Sequence, residues 1–66
     1  MKINPNAIKR LMGLHLMTQE QLAKEAGVAR MTINGTLKKG SCSTITAGKI
    51  AKALGVDPVA IIPTEE

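Results

Sequence analysis

The residue types with the most specific binding chemistry lie close together, at Arg30, Met31, Thr32 and Asn34. An arginine can donate two parallel hydrogen bonds to a guanine edge, and an asparagine can pair in the same bidentate way with adenine. Threonine or methionine can contact a thymine methyl group. If one exposed face presents all four side chains, this combination predicts base recognition in the DNA major groove.

A predicted helix over about residues 19–26 precedes these side chains. Thr18 is a good N-cap, and Gln21 can reach back to it in a capping box. Apolar residues then recur at helical spacing, and Gly27 supplies the left-handed residue that ends the helix. Val28 follows as a small apolar residue that we expect in the core.

A second predicted helix, over about residues 29–38, carries the candidate base-reading residues. Ile33 and Leu37 lie one turn apart and form its inner face, so that Met31 is expected to point outward. Two helices joined by a short turn containing glycine form a helix-turn-helix, at about residues 18–38, which sets its second helix in the major groove. The pattern therefore predicts a DNA-binding protein.

The remaining segments predict three more short helices, giving an all-α, compact bundle of five. Asn4-Pro5, as cap and first helical residue, begins a helix that runs to about His15. Asp57-Pro58 begins a last helix over residues 58–62 in the same way, and Pro63 stops it.

The sequence does not determine at which residue the fourth helix starts. Ser43 or Thr44 could cap it, and so could Thr46. We prefer Thr46, because Ile45 would then precede the cap and pack against Ile50. In a continuous helix from Ser43, Ile45 would instead face away from Ile50.

The length and composition of the chain predict one small basic domain over residues 1–66. No Phe, Tyr or Trp is present, so the core must consist of aliphatic residues and methionine. The net charge is +4 and the pI is near 9.7, and residues 1–64 carry +6 because Glu65 and Glu66 come last. Positive charge favours a nucleic-acid partner. We expect neither a signal peptide nor a membrane-spanning segment, and a single cysteine fits a reducing compartment, so a cytoplasmic protein is expected.

Catalytic and metal-binding chemistry is not predicted. His15 is the only histidine and Cys42 the only cysteine, and no cluster of carboxylates accompanies them. No nucleophile has a base at a recognisable spacing, and there is no glycine-rich phosphate loop. We therefore expect no enzymatic activity, no cofactor and no metal.

Three segments resemble the lambdoid phage repressor and Cro family of helix-turn-helix regulators, the Xre-like group. They are AIKRL at 7–11, MTQEQLAKEAGVARMTI at 17–33 and KIAKALGVD at 49–57. The middle segment is the most specific, because it fixes helix caps, corner and core together. The resemblance covers about residues 6–62 and implies a bundle of five short helices that binds operator DNA, usually as a two-fold dimer.

The resemblance also implies phosphate contacts around the recognition helix. In this family the residue matching Gln19 touches a phosphate or packs on that helix, and the chain after the helix runs along the DNA backbone. Gly35 costs about 1 kcal/mol in helix propensity against alanine; it lets the backbone lie close to DNA or is merely tolerated. The predicted DNA-binding set is Gln19, Arg30, Met31, Thr32, Asn34, Gly35, Lys38, Lys39 and Ser41.

Dimers of the family form through the C-terminal helix and the loop before it. The matching surface here is Val56, Pro58, Val59, Ala60 and Ile61. Because one or two isoleucines of this helix must enter the core, the remaining patch is small. A weak homodimer assembled on DNA is therefore expected. Leu14 and Leu16 fall off the buried stripe of the first helix and are either partly exposed or dimer-facing.

One pair of core positions departs from the family pattern. Relatives often place an Arg late in the first helix against a Glu near the end of the third. The matching residues here are Met12 and Leu37. An apolar pair can replace a buried ion pair without loss of stability, so we expect these two side chains to meet in the core.

The leading hypothesis is a sequence-specific transcriptional regulator, most simply a repressor that occupies a two-fold operator. The chain has no room for an effector-binding domain, so no small-molecule effector is expected. An antitoxin is a weaker alternative, because only residues 63–66 follow the last helix as a tail. A protein-interaction or recombination accessory module on the same fold is the other alternative.

Overall fold

The computed structural model describes residues 1–63, which form four α-helices and one 3-10 helix. The elements are α1 (Pro5–Leu14), α2 (Gln19–Ala26), α3 (Arg30–Lys39), α4 (Thr44–Ala53) and the 3-10 helix (Pro58–Ile61). This confirms the all-α architecture, with a fifth element that is 3-10 rather than α-helical. Residues 64–66, which belong to the predicted short tail, lie outside the described residues.

Side-chain caps fix the starts of α1 and α2 where the sequence predicts them. The N–H groups of Asn6 and Ala7 donate to Asn4 Oδ1, at 3.0 and 3.3 Å. At α2 the Gln21 N–H donates to Thr18 Oγ1 at 3.1 Å, and the Thr18 N–H donates to Gln21 Oε1 at 2.9 Å. The second pair is the predicted capping box, which satisfies two N–H groups that the helix itself leaves without partners.

The preferred start of α4 at Thr46 is wrong, and the alternative cap at Ser43 is the one observed. The Thr46 N–H donates to Ser43 Oγ at 3.1 Å, so that α4 begins at Thr44. Ser43 Oγ in turn donates to Thr46 Oγ1 at 2.9 Å. Ile45 is 72% exposed and does not pack on the buried Ile50, as expected for a continuous helix from Ser43.

Three of the α-helices end in the same hydrogen-bond pattern, a Schellman motif. In each, an apolar residue donates its N–H to the carbonyl five residues earlier: Met17 to Met12 (2.8 Å), Val28 to Ala23 (3.0 Å) and Val56 to Ala51 (3.0 Å). All three donors pack against the core. The left-handed residue before each donor is Leu16 (φ 56°), Gly27 (φ 73°) and Gly55 (φ 71°). Among residues 1–63, Leu16 is therefore the one residue with a side chain in a backbone conformation suited to glycine, and that side chain is 87% exposed.

One buried cluster takes residues from all five helical segments. Its members are Ile3, Ile8, Met12, Leu22, Ala23, Ile33, Leu37, Ala47, Ile50, Ala51, Leu54 and Ile61. Met12 and Leu37 both belong to it, in agreement with the apolar replacement predicted at these positions. Within the described part of the chain, no helix combines the length and the hydrophobicity needed to cross a bilayer.

The N-terminal residues close the bundle, which the sequence did not predict. The Ile3 N–H donates to the Gly40 carbonyl and the Cys42 N–H donates to the Met1 carbonyl, both at 2.9 Å. Between these bonds, Lys2 and Ser41 form an antiparallel bridge. Because the side chain of Ile3 is buried in the core, the segment is fixed against the loop that follows α3.

Candidate nucleic-acid interface

The predicted base-reading residues share the outward side of α3. This helix buries Ile33, Thr36 and Leu37 against the rest of the bundle. Its exposed residues include Arg30, Met31, Thr32 and Asn34. Met31 is 84% exposed, although its side chain is apolar. The predicted orientation of α3 is therefore confirmed, while contact with DNA remains a prediction.

The start of α2 lies beside the first half of α3. Thr18, Gln19 and Glu20 line one shallow cleft together with Arg30 and Asn34. Gln19 is half-buried and shares the lining of this cleft with two of the candidate base-reading residues. Glu20 is exposed and borders the same cleft.

A positively charged edge continues from the end of α3. Lys38 and Lys39 are exposed in its last turn, where they also complement the negative end of the helix dipole. Gly40 ends the helix in a left-handed conformation (φ 71°), and the half-buried Ser41 follows. The three predicted phosphate-contacting residues Lys38, Lys39 and Ser41 thus lie close together in the chain, at the end of α3 and just after it.

Lys2 joins this edge, and sequence reasoning missed it. Side chains directly opposite each other in an antiparallel pair lie on the same side. The bridge between Lys2 and Ser41 therefore places the exposed lysine beside a residue predicted to contact phosphate. Residues 1–4 have no periodic pattern that could have predicted this pairing.

The predicted dimer surface is only partly available. Pro58, Val59 and Ala60 are exposed and Val56 is half-buried, with Val59 72% exposed. Ile61 is fully buried in the core, so its assignment to the dimer surface is corrected. The 3-10 helix packs on both α1 and α4, and its Ile61 fills the space between them.

Within residues 1–63, Cys42 and His15 belong to no group of side chains that could bind a metal ion. Burial raises the pKa of the Cys42 thiol, and the nearby N-terminal ammonium group offsets part of this shift. A raised pKa keeps the thiol protonated at neutral pH, where it is a weak nucleophile. Among residues 1–63, no group of three or more His, Cys, Asp or Glu side chains is arranged to hold a metal ion.

Comparison with known families agrees with this geometry. A family model described as helix-turn-helix matches residues 8–61, which include α2, α3 and the turn between them. No curated protein and no solved structure matches the chain significantly. The match confirms the resemblance noted from the three sequence segments. The chain belongs to the helix-turn-helix family, of the Xre or lambda-repressor-like type, whose members are DNA-binding transcription regulators.

Proposed function

We propose that this protein is a sequence-specific repressor that occupies a two-fold operator in double-stranded DNA. It acts in the cytoplasm simply by occupying the operator, and it needs no catalysis, cofactor or small-molecule effector. The observation that carries the proposal is the division of α3 into two sides. Ile33 and Leu37 hold the helix to the core, while Arg30 and Asn34 remain exposed for contact with base edges.

Base reading follows from the chemistry of the exposed side of α3. Arg30 pairs with the O6 and N7 atoms of a guanine, and Asn34 pairs with the N6 and N7 atoms of an adenine. Met31 and Thr32 contact thymine methyl groups. A good bidentate pair contributes about 1–3 kcal/mol of discrimination against the wrong base.

Phosphate contacts supply affinity and orientation. The residues proposed for these contacts are Gln19 at the start of α2, Lys38 and Lys39 in the last turn of α3, and Ser41 after that helix. Where the two lysines neutralise phosphates, these contacts release counterions, so binding weakens steeply as salt is added. They carry little sequence information and set the register in which α3 enters the groove.

Two copies bind together, because one recognition helix reads only a few base pairs. The exposed residues Pro58, Val59 and Ala60, with Val56 beside them, form the contact between the copies. This patch is small, which favours a weak dimer that assembles on DNA rather than in solution. The two half-sites lie about one turn of DNA apart, roughly 34 Å.

Selection of bound sequences from random duplex DNA tests the proposal. The expected product is an inverted repeat whose half-sites have centres roughly 10 base pairs apart. A set of bound duplexes with no common sequence would reject a sequence-specific repressor. Enrichment of single half-sites without an inverted repeat would reject the two-fold arrangement but not sequence-specific binding.

A protein-interaction module is the second candidate function, and two exposed leucines favour it. Leu14 is 75% exposed and Leu16 is 87% exposed at the corner between α1 and α2. Apolar contact with a partner protein would change little with salt, whereas DNA binding weakens. Binding to random duplex DNA over a salt series therefore separates the two functions.

A further inference from the structure

Gly35 occupies the middle of the recognition helix, although the fold does not require a glycine there. A Cβ atom built at this position meets nothing within 4 Å beyond its chain neighbours and the backbone of its own helix. Its backbone does not have the positive φ that marks Gly27, Gly40 and Gly55. Alanine would therefore fit the folded protein and would favour the helix.

The position lies at the outward centre of α3. With 3.6 residues per turn, Met31, Gly35 and Lys38 fall on the side opposite the buried Ile33 and Leu37. Met31 precedes Gly35 by about one turn and Lys38 follows it by about one turn. Because both neighbours have long exposed side chains, the bare backbone at Gly35 forms the floor of a notch between them.

We propose that this notch is a specificity-determining contact that receives the 5-methyl group of a thymine in the operator. The inference rests on the proposed function and adds the base class that the centre of α3 selects. Met31 supplies an apolar wall beside the methyl group. The missing side chain at Gly35 lets the backbone of α3 approach the base edge more closely than any other residue would allow.

A matched pair of glycine substitutions tests the close approach. Gly48 lies in the middle of α4, and a Cβ there also meets nothing within 4 Å. Gly35→Ala and Gly48→Ala should each raise Tm by about 4–8 °C through helix propensity. Only Gly35→Ala should weaken binding to the selected operator, by about tenfold or more, because the added methyl group overpacks the contact with DNA.

Three outcomes of this comparison would overturn the inference. Wild-type affinity in Gly35→Ala would show that the backbone of α3 stays away from the base edges. Equal weakening by Gly48→Ala would show that the loss does not arise at the recognition surface. Equal weakening of Gly35→Ala on operator and random duplex would place a sugar or phosphate, not a base, against Gly35.

Replacement of each operator thymine by deoxyuracil tests the ligand assigned to the notch. Apart from any thymine that Thr32 contacts, one position per half-site should lose about fourfold in affinity, the effect of removing one buried methyl group. Met31→Ala should reduce this loss at the same position. If no uracil replacement weakens binding, the thymine assignment is wrong while the proposed function stands. If the wild-type protein selects no DNA sequence, the proposed function itself fails.

Discussion

Lys2 and Ser41 pair in an antiparallel bridge that joins the N-terminal segment to the loop after the recognition helix. The flanking hydrogen bonds, from the Ile3 N–H to Gly40 and from the Cys42 N–H to Met1, hold the bridge on both sides. The first residues of the chain are thereby held beside the loop that directly follows Lys38 and Lys39. The positively charged edge is larger than the sequence motif alone indicates.

We predict that Lys2→Ala weakens binding to all duplex sequences by a similar factor. Loss of one phosphate contact should reduce the slope of log K against log salt by about 0.9. Titration of random duplex at several salt concentrations measures this slope. Lys52→Ala is the control, because Lys52 is an exposed lysine on α4 away from the bridge. A wild-type slope in Lys2→Ala would place this side chain in solvent.

We predict that Leu16→Gly stabilises the protein. The substitution removes the cost of a left-handed side chain and should add about 0.5–1 kcal/mol to the free energy of unfolding. Leu14→Gly is the matched control, because it removes an equally apolar exposed side chain from regular helix and should destabilise the protein by a similar amount. Thermal unfolding compares the two. A less stable Leu16→Gly variant would mean that the Leu16 side chain itself contributes to the fold.

We predict that Leu37→Glu unfolds most of the protein, because it buries a carboxylate without a partner. Both Leu37 and Met12 are nearly fully buried in the same cluster. The expected cost is about 3–5 kcal/mol, a large share of the stability of so small a domain. Adding Met12→Arg should recover much of the loss by restoring the ion pair common in relatives, as measured by denaturant unfolding. A double variant no more stable than Leu37→Glu would show that the two side chains do not meet.

We predict that Ala60→Glu abolishes cooperative binding to a two-fold operator and leaves the domain folded. Ala60 is exposed on the 3-10 helix, so a carboxylate there costs the monomer little. In a symmetric dimer, the two copies of this patch would bring like charges together. Binding isotherms on one and two half-sites measure the cooperativity. Unchanged cooperativity would move the dimer contact elsewhere, with Leu14 and Leu16 as the next candidates.

Local chemistry explains which parts of the fold were predictable from the sequence. The capping box of Thr18 and Gln21 and the corner at Gly27 each need particular residue types at fixed spacing, so the pattern determines the structure. At the start of α4, Ser43, Thr44 and Thr46 each offered a hydroxyl group that could cap the helix. Which of them caps the helix depends on which side-chain oxygen accepts a hydrogen bond from a free backbone N–H group in the first turn. The spacing of apolar residues does not indicate this.

Tertiary contacts decided the features that the sequence missed. Ile61 is buried because the 3-10 helix packs on α1 and α4, and four residues are too few to define a buried face from their pattern. Leu16 takes a left-handed conformation because Met17 enters the core behind it, without the glycine that signals such a turn. The pairing of Lys2 with Ser41 joins residues far apart in the sequence, with no local pattern to indicate it.

The central claim, that α3 reads base edges, is tested most directly by the affinities of wild-type protein and Arg30→Ala for the selected operator and for random duplex. If Arg30 pairs with a guanine, the substitution should reduce the ratio of the two affinities by about 5- to 150-fold, the effect of losing one bidentate contact. Affinity for random duplex should change much less. An equal loss of affinity on both duplexes, with the ratio unchanged, would contradict base reading by Arg30. It would show that Arg30 contacts only a phosphate.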